Sequence, residues 1–169
     1  MILALIDEKF LKNRKRYFLQ ASLAFGATLV ILIVLDAVAD AAVIASFGAS
    51  SFIVLAMPHQ EVSAARRVLG GSLIGTGVAF SADMIQKAVV SLFGKVPLVD
   101  SAILFGAFAV GISMLLMVVS NTEHPPAAGL ALGLVLEGFD FTVAVVTLLG
   151  LVLLTIVKRL LKKYLMDLV

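Results

Sequence analysis

The chain has 169 residues, of which 62% are hydrophobic and 14% are charged, and its formal net charge is +2. Ordinary soluble domains have about 45–50% apolar and about 25% charged residues, so this chain is too apolar to cover a surface that faces water. It contains no cysteine, which excludes a disulfide framework, a thiolate metal site and a cysteine nucleophile. We therefore predict one integral membrane domain.

Six apolar segments predict an all-α, polytopic transmembrane helix bundle. A bilayer core of about 30 Å needs about 20 helical residues, and the first, third, fourth and sixth segments reach or approach that length. The second and fifth segments are shorter, so we expect broken helices or half-helices there. The segments are Tyr17–Leu35, Ala41–Met57, Val68–Phe93, Ser101–Val119, Pro126–Leu136 and Phe141–Val157.

Three regions follow from this division. Residues 1–16 form a basic, amphipathic N-terminus, residues 17–157 the transmembrane domain, and residues 158–169 an amphipathic, basic tail. No small-residue cleavage site precedes Asp36, so the first helix is expected to be retained. In the tail, the leucines and Tyr164 are expected to continue the last helix as an apolar stripe on the membrane surface.

The lysines and arginines predict the orientation. Five lie in the N-terminal region, two at Arg66–Arg67 and four in Lys158–Lys163, which leaves two of the 13 elsewhere. If all six segments cross or partly cross the membrane, these three groups fall on one side, and the positive-inside rule makes that side cytoplasmic. Both termini then face the cytoplasm of a prokaryotic cell. An alternative with four spans and two hairpins moves Arg66 and Arg67 to the opposite side.

The order of long and short segments predicts an internal symmetry. Residues 17–93 and residues 101–157 each contain a long helix, a short broken segment and a second long helix. Three passages per half is an odd number, so the two halves would form an inverted repeat of three plus three helices. Short, interrupted segments in corresponding positions of two halves indicate the binding site of a transporter.

The fifth segment begins in the polar stretch SNTEHPPAAG, Ser120–Gly129. Pro125 and Pro126 keep the residue before each of them extended, and a helix can start with Pro126 in its first turn. A helix start carries unpaired amides and a partial positive charge, which attract anions. Proline has no N–H, so the first free donors would belong to the small residues Ala127, Ala128 and Gly129.

His124 adds a hydrogen-bond donor whose charge can change near neutral pH. Glu123 is its nearest acid in the sequence and would be placed to orient it. The alternative is that this stretch is an ordinary surface turn with a proline stop and a fresh helix.

The second segment is interrupted by SFGASS, Ser46–Ser51, whose serines can cap a helix start. A short helix from Phe52 to Met57 would follow, stopped at Pro58. In an inverted repeat, the two short helices would point their N-termini toward each other near the bilayer centre and bind a small anion there. The expected substrate-binding residues are Ser46, Gly48, Ala49, Ser50, His124, Pro125, Pro126, Ala127, Ala128 and Gly129, with no metal, cofactor or catalytic residue.

Other polar and small residues are expected to be structural. Asp83 and Lys87 are four residues apart and can pair on one helix face. The glycines of Gly70–Gly77, together with Gly106 and Gly111, predict close helix packing. The sequence contains no metal-ligand spacing, phosphate loop or nucleotide fingerprint, so we do not expect an enzyme.

Three stretches, in this order, resemble the HPP family of small membrane proteins: SFGASSFIVLAMP, RRVLGGSLIG and HPPAAGLAL. The family is named for the His-Pro-Pro triplet, present here as His124, Pro125 and Pro126, and the resemblance covers roughly Leu19 to Leu154. Family members are described with four membrane spans, and plant chloroplast members are linked to nitrite transport. The resemblance implies a transporter or channel for a small, nitrite-like anion, in a chain that we expect to assemble with copies of itself in the lipid bilayer. The alternative is a membrane scaffold without transport activity.

Overall fold

The computed structural model describes residues 8–34, 41–94 and 101–168, and within them the chain is all-α, as predicted. A short 3₁₀ turn at Glu61–Ser63 separates the second helix from the third. Residues 1–7 of the predicted N-terminal region lie outside the described residues, and residues 8–16 form the first part of α1. The helices are α1 (Glu8–Val34), α2 (Ala41–Ala56), α3 (Ala65–Phe93), α4 (Ser101–Ser120), α5 (Pro125–Leu136) and α6 (Phe141–Leu161).

Three helices of the described residues, α3, α4 and α6, are long and apolar enough to cross a membrane. α2 and α5 have 16 and 12 residues, which corresponds to roughly 24 and 18 Å of helix. Both are therefore shorter than a full span. The apolar part of α1 runs to the edge of the described residues, so the fourth long span stays a prediction.

The three basic groups lie at the same end of the bundle, which we name the basic end. Lys158 near the end of α6 donates a hydrogen bond of 2.8 Å to the hydroxyl of Ser63, just before Arg66–Arg67. Tyr17, which follows the basic part of α1, donates one of 2.9 Å to the carbonyl of Leu168 in the C-terminal tail. These contacts agree with six alternating segments and not with the four-span alternative.

α5 lies at the centre of the bundle, packed against α2, α3 and α4, while α2 packs against α1, α5 and α6. Two clusters of buried apolar side chains form the core. The cluster toward the basic end contains Ile31, Phe47, Val54, Leu55, Val68, Leu151, Leu154 and Leu165. The cluster toward the opposite end contains Val43, Ala79, Ala82, Ala109, Leu130, Ala131, Leu134, Val135 and Ala144.

Some of the glycines predicted to pack closely do so. A Cβ atom on Gly75 would overlap the backbone carbonyl of Ala127, so α5 can lie this near to α3 only because the residue is glycine. Close contacts to another helix or its flank also exist at Gly70, Gly71 and Gly106. Gly77 and Gly111, in contrast, have nothing within 4 Å of an added Cβ, so the packing prediction is wrong for them.

The prediction that α2 is broken at Ser46–Ser51 is wrong. α2 is one continuous helix that ends at Ala56, just before Pro58. The hydroxyls of Ser46 and Ser50 make hydrogen bonds across to the start of α5, so these two polar groups are satisfied without a break in the helix. The start of α2 lies near the end of α5, because Val43 packs in one cluster with Leu134 and Val135. The predicted pair of converging helix N-termini is therefore absent from the described residues.

The prediction for the C-terminal tail is also wrong. α6 ends at Leu161, and the chain after it folds back along α1 and α2 instead of continuing as a helix. Leu168 donates a hydrogen bond of 2.8 Å to the carbonyl of Ala56, at the end of α2. Gln20 of α1 donates one of 2.7 Å to the carbonyl of Met166. The tail thus caps a helix end that lacks partners of its own.

Candidate functional site

His124 is the N-cap residue of α5, with extended backbone angles of φ −139° and ψ 92°. Pro125 and Pro126 occupy the first helical positions after it, as the sequence predicted. The imidazole is fully buried, with 0% of the residue exposed. Its Cβ lies 2.7 Å from the position that a Cβ on Gly71 of α3 would take, so any larger residue there would displace it.

Two serines of α2 face the start of α5. The hydroxyl of Ser50 lies 2.9 Å from Nε2 of His124. One turn earlier, the hydroxyl of Ser46 donates a hydrogen bond of 2.6 Å to the carbonyl of Pro126. The other ring nitrogen of His124, Nδ1, has no hydrogen-bond partner among the described residues. The structure therefore brings Ser46, Ser50 and the start of α5 together, through side chains that project from the middle of a helix.

Several of the predicted binding residues lie away from His124. In a continuous α2, residues four apart share one face, so Gly48 and Ala49 turn away from Ser46 and Ser50 and are exposed. Gly48 lines a groove between α1 and α2 instead. On α5, the side of the helix with Pro125 and Gly129 is exposed, Ala128 is half-buried, and Pro126 and Ala127 are buried.

The predicted cradle of free backbone amides at the start of α5 is not formed. Pro125 and Pro126 have no N–H, and the amide of Ala127 donates a hydrogen bond of 2.9 Å to the carbonyl of His124. The amides that follow, beginning with Ala128, pair with carbonyls four residues back in a regular α-helix. Groups that could bind a ligand here are therefore side chains.

Hydroxyl groups that are buried within the bundle project from α2, α3, α4 and α6, and together with His124 we name them the hydroxyl layer. On α3, Ser72 follows the buried Val68 by one turn and Thr76 precedes Ala79. Residues one turn apart share a helix face, so the hydroxyls of Ser72 and Thr76 lie on the side of α3 that faces the core, at the level between the two clusters. The layer consists of Ser46, Ser50, Ser72, Thr76, Ser113 and Thr147.

Three of these hydroxyls are buried and have no hydrogen-bond partner among the described residues: Ser72, Thr76 and Ser113. Serine and threonine in helices often donate to the carbonyl one turn back, as Thr147 does to Val143 at 2.8 Å. A buried polar group without a partner costs about 1–3 kcal/mol, so the layer would gain from a ligand or water that pairs with it. Sequence reasoning overlooked these residues, although the four-residue spacing of Ser72 and Thr76 was visible.

A cluster of charged and polar groups covers His124 on the side of the basic end. Arg67 lies 2.7 Å from the carboxylate of Glu123, 3.1 Å from that of Glu61 and 3.1 Å from the side-chain oxygen of Asn121. We name these four residues the Arg67 clasp. Glu123 precedes His124 directly but points to Arg67, so the expectation that it orients the imidazole is wrong.

A hydrogen bond to Asp83 of α3 holds the opposite end of α5. Asp83 of α3 is 4% exposed and lies 2.7 Å from the amine of Lys87, as the spacing predicted. Its other oxygen accepts a hydrogen bond of 3.3 Å from the amide of Phe139, just after α5. The segment from Glu123 to Phe139 is therefore tied to α3 at both ends, with the hydroxyl layer between the two ties.

Comparison with known families supports the sequence resemblance. A family model described as HPP, transmembrane region, matches residues 9–166, which include all six helices and the His-Pro-Pro triplet. Searches of the curated proteins and of the solved structures each found no significant match. Because the family model covers nearly the whole chain, the protein is an integral membrane protein that belongs to the HPP family.

Proposed function

We propose that the protein transports a small monovalent anion, of the size and charge of nitrite, through the hydroxyl layer. The observation that carries the proposal is His124, which is fully buried at the start of a short central helix and has one ring nitrogen without a partner. Buried polar groups almost always have a hydrogen-bond partner, and those without one call for an explanation. A ligand that binds transiently in the hydroxyl layer would explain the unpaired nitrogen of His124.

The chemistry of the layer suits a weakly hydrated, singly charged anion. With a proton on Nδ1, the neutral imidazole accepts a hydrogen bond from Ser50 at Nε2 and offers the N–H to a ligand. The start of α5 adds a partial positive charge. No lysine or arginine belongs to the layer, and neutral donors alone compensate poorly for the desolvation of a doubly charged ion.

The helix arrangement supports a carrier built from an inverted repeat. Exchanging α1 with α4, α2 with α5 and α3 with α6 maps each main contact between helices onto another such contact. In carriers of this kind the substrate site lies near the bilayer midplane, at the interface between the repeats. This exchange leaves two contacts in place, the one between α3 and α6 and the one between α2 and α5, where Ser50 meets His124.

The proposal is tested by anion flux into liposomes that contain the purified protein. Nitrite, nitrate, formate and chloride are compared, and nitrite uptake well above that of empty liposomes is expected. Uptake equal to that of empty liposomes for all four anions would reject transport and favour the scaffold function. In cells, the basic end is expected to face the cytoplasm, and the protein is expected to form a homo-oligomer.

Nitrite uptake should depend more on Ser50, which contacts His124, than on its neighbour Ser51. Ser50→Ala removes a buried hydrogen bond worth about 1 kcal/mol, so nitrite uptake should fall roughly fivefold. Ser51→Ala is the matched control, because the hydroxyl of Ser51 is also buried but Ser51 lines the groove between α1 and α2. Equal uptake by the two variants, measured in the same liposome assay, would contradict a role for the layer.

The Arg67 clasp should limit access to the site from the basic end. The described structure is closed around His124, and we expect an anion that enters from that end to require opening of the contact between Arg67 and Glu123. The isosteric change Ser50→Cys places a single thiol beside His124 in a chain without other cysteines. Adding Arg67→Gln should raise the rate at which a water-soluble reagent labels this thiol by about fivefold, since a partly exposed ion pair contributes up to about 1 kcal/mol.

Arg66→Gln provides the control for that experiment. Arg66 is exposed and donates a hydrogen bond of 3.0 Å to the carbonyl of Ser120, without an ion pair among the described residues. The same charge is lost at the neighbouring position, so the labelling rate should stay near that of Ser50→Cys alone. If both arginine changes raise the rate equally, net charge and not the clasp controls access.

A further inference from the structure

A polar pocket lies at the basic end, between α6 and the first residue of α3, on the flank of the bundle. Its volume is about 280 Å³, and it is open on one side. On α6, the pocket residues begin at Thr155, about two helical turns nearer the basic end than Thr147 of the hydroxyl layer. It is lined by Ala65, Thr155, Ile156, Lys158, Arg159 and Lys162.

The pocket holds three cationic side chains, none of which forms a salt bridge within the described residues. Lys158 donates hydrogen bonds to the carbonyl and the hydroxyl of Ser63, which fix its amine against the start of α3. Arg159 and Lys162 are exposed and take part in none of the salt bridges of the described residues. Like charges gathered in one pocket repel each other, so an anion bound between them would be stabilised.

The apolar side chains beside the pocket favour an anion that is part of a lipid. Ile156 is 48% exposed and Leu160 is 70% exposed, so the cations lie directly beside an apolar surface. Basic pockets at the edge of a membrane-spanning helix match the phosphate of a lipid headgroup, whose acyl chains then cover the neighbouring apolar side chains. A free anion would use the charges but gain nothing from the apolar wall.

From this combination we infer that the pocket binds the phosphate headgroup of an anionic phospholipid in the leaflet at the basic end. Lys158 is held in place by Ser63. Arg159, the next residue of α6, and Lys162, just after the end of α6, close around the phosphate. Each cation near an anionic membrane surface contributes about 1 kcal/mol, which corresponds to about a fivefold change in affinity. The inference does not depend on the proposed transport function.

The test measures binding of a water-soluble, short-chain phosphatidylglycerol to the purified, delipidated full chain in detergent, with short-chain phosphatidylcholine and inorganic phosphate in parallel. The double variant Arg159→Gln/Lys162→Gln should bind phosphatidylglycerol about 30-fold more weakly than the unchanged protein. The matched control is Arg14→Gln/Lys15→Gln, which removes the same two charges from exposed positions of α1. It should keep the affinity of the unchanged protein.

Three results would overturn the inference. Equal weakening by the two double variants would mean that net charge, and not the pocket, attracts the lipid. Equal binding of phosphatidylcholine would mean that the headgroup charge is not recognised. Inorganic phosphate that protects the protein from thermal unfolding as well as phosphatidylglycerol does would identify a site for a free anion. Since all four changed side chains are exposed, both variants should fold, and circular dichroism checks this directly.

Discussion

Nitrite uptake should fall by about 10- to 150-fold when His124 is replaced by alanine. The change removes the only ring nitrogens of the hydroxyl layer, and hydrogen bonds to a charged ligand are worth about 1.5–3 kcal/mol. It also leaves the hydroxyl of Ser50 without its partner at 2.9 Å. The measurement is the initial rate of nitrite uptake into liposomes with equal amounts of folded protein.

The second histidine of the chain is the natural control for this experiment. His59 lies in the turn after α2, where its amide and ring contact Asp167 of the tail, far from the layer along α2. His59→Ala should therefore retain uptake near that of the unchanged protein. His124→Gln keeps a polar side chain of similar length and guards against a loss caused by an empty cavity. Nitrite uptake by His124→Ala equal to that of the unchanged protein would mean that the imidazole is not part of the transport path.

Sequence patterns predicted those parts of the fold that depend on residues close together in the sequence, such as helix positions and helix ends. The apolar segments located all six helices, because each segment is bounded by polar residues, glycine or proline. α1, however, begins at Glu8, well before the predicted Tyr17. Pro125 and Pro126 determine the start of α5, and Pro58 follows the end of α2. The three basic groups fell at one end of the bundle, as the positive-inside rule requires of alternating segments.

The wrong predictions share a cause, because residues far away in the sequence determine the structure at each of these places. Glycine and serines favour a break in an isolated helix. α2 nevertheless continues through Ser46–Ser51, where α5 supplies partners for the hydroxyls of Ser46 and Ser50. The tail folds back because Gln20 and the end of α2, both far away in sequence, offer hydrogen bonds. The hydroxyl layer was hidden for a further reason. In a membrane protein the lipid-facing surface is as apolar as the core, so apolarity alone does not reveal which helix face is inside.

The corrected geometry changes how an anion would be held. A site made of two helix ends would have used fixed backbone amides, whereas the layer uses side chains that rotate. Hydroxyls can change partners as α5 moves against α2, without any loss of helical hydrogen bonds. In the proposed transport, the ties at Glu123 and Phe139 would be the contacts that α5 releases if it moves, one at each end.

The approach of α5 to α3 should be very sensitive to one methyl group. Gly75→Ala places a Cβ on the backbone carbonyl of Ala127, which cannot move without shifting the start of α5. Such overpacking typically costs about 1–3 kcal/mol, so the midpoint of thermal unfolding in detergent should fall by several degrees. Nitrite uptake should fall as well, because a displaced α5 carries His124 away from Ser50.

Gly77→Ala makes the same chemical change two residues further along α3, where nothing lies within 4 Å of the new Cβ. Alanine is the better helix former by about 0.5–1 kcal/mol, so this variant should unfold at the same or a slightly higher temperature and keep its transport rate. The difference between the two variants isolates the contact with Ala127 from any general effect of alanine in α3. Equal unfolding midpoints would mean that α3 and α5 do not approach each other at Gly75, and the position assigned to His124 between α2 and α3 would fail with it.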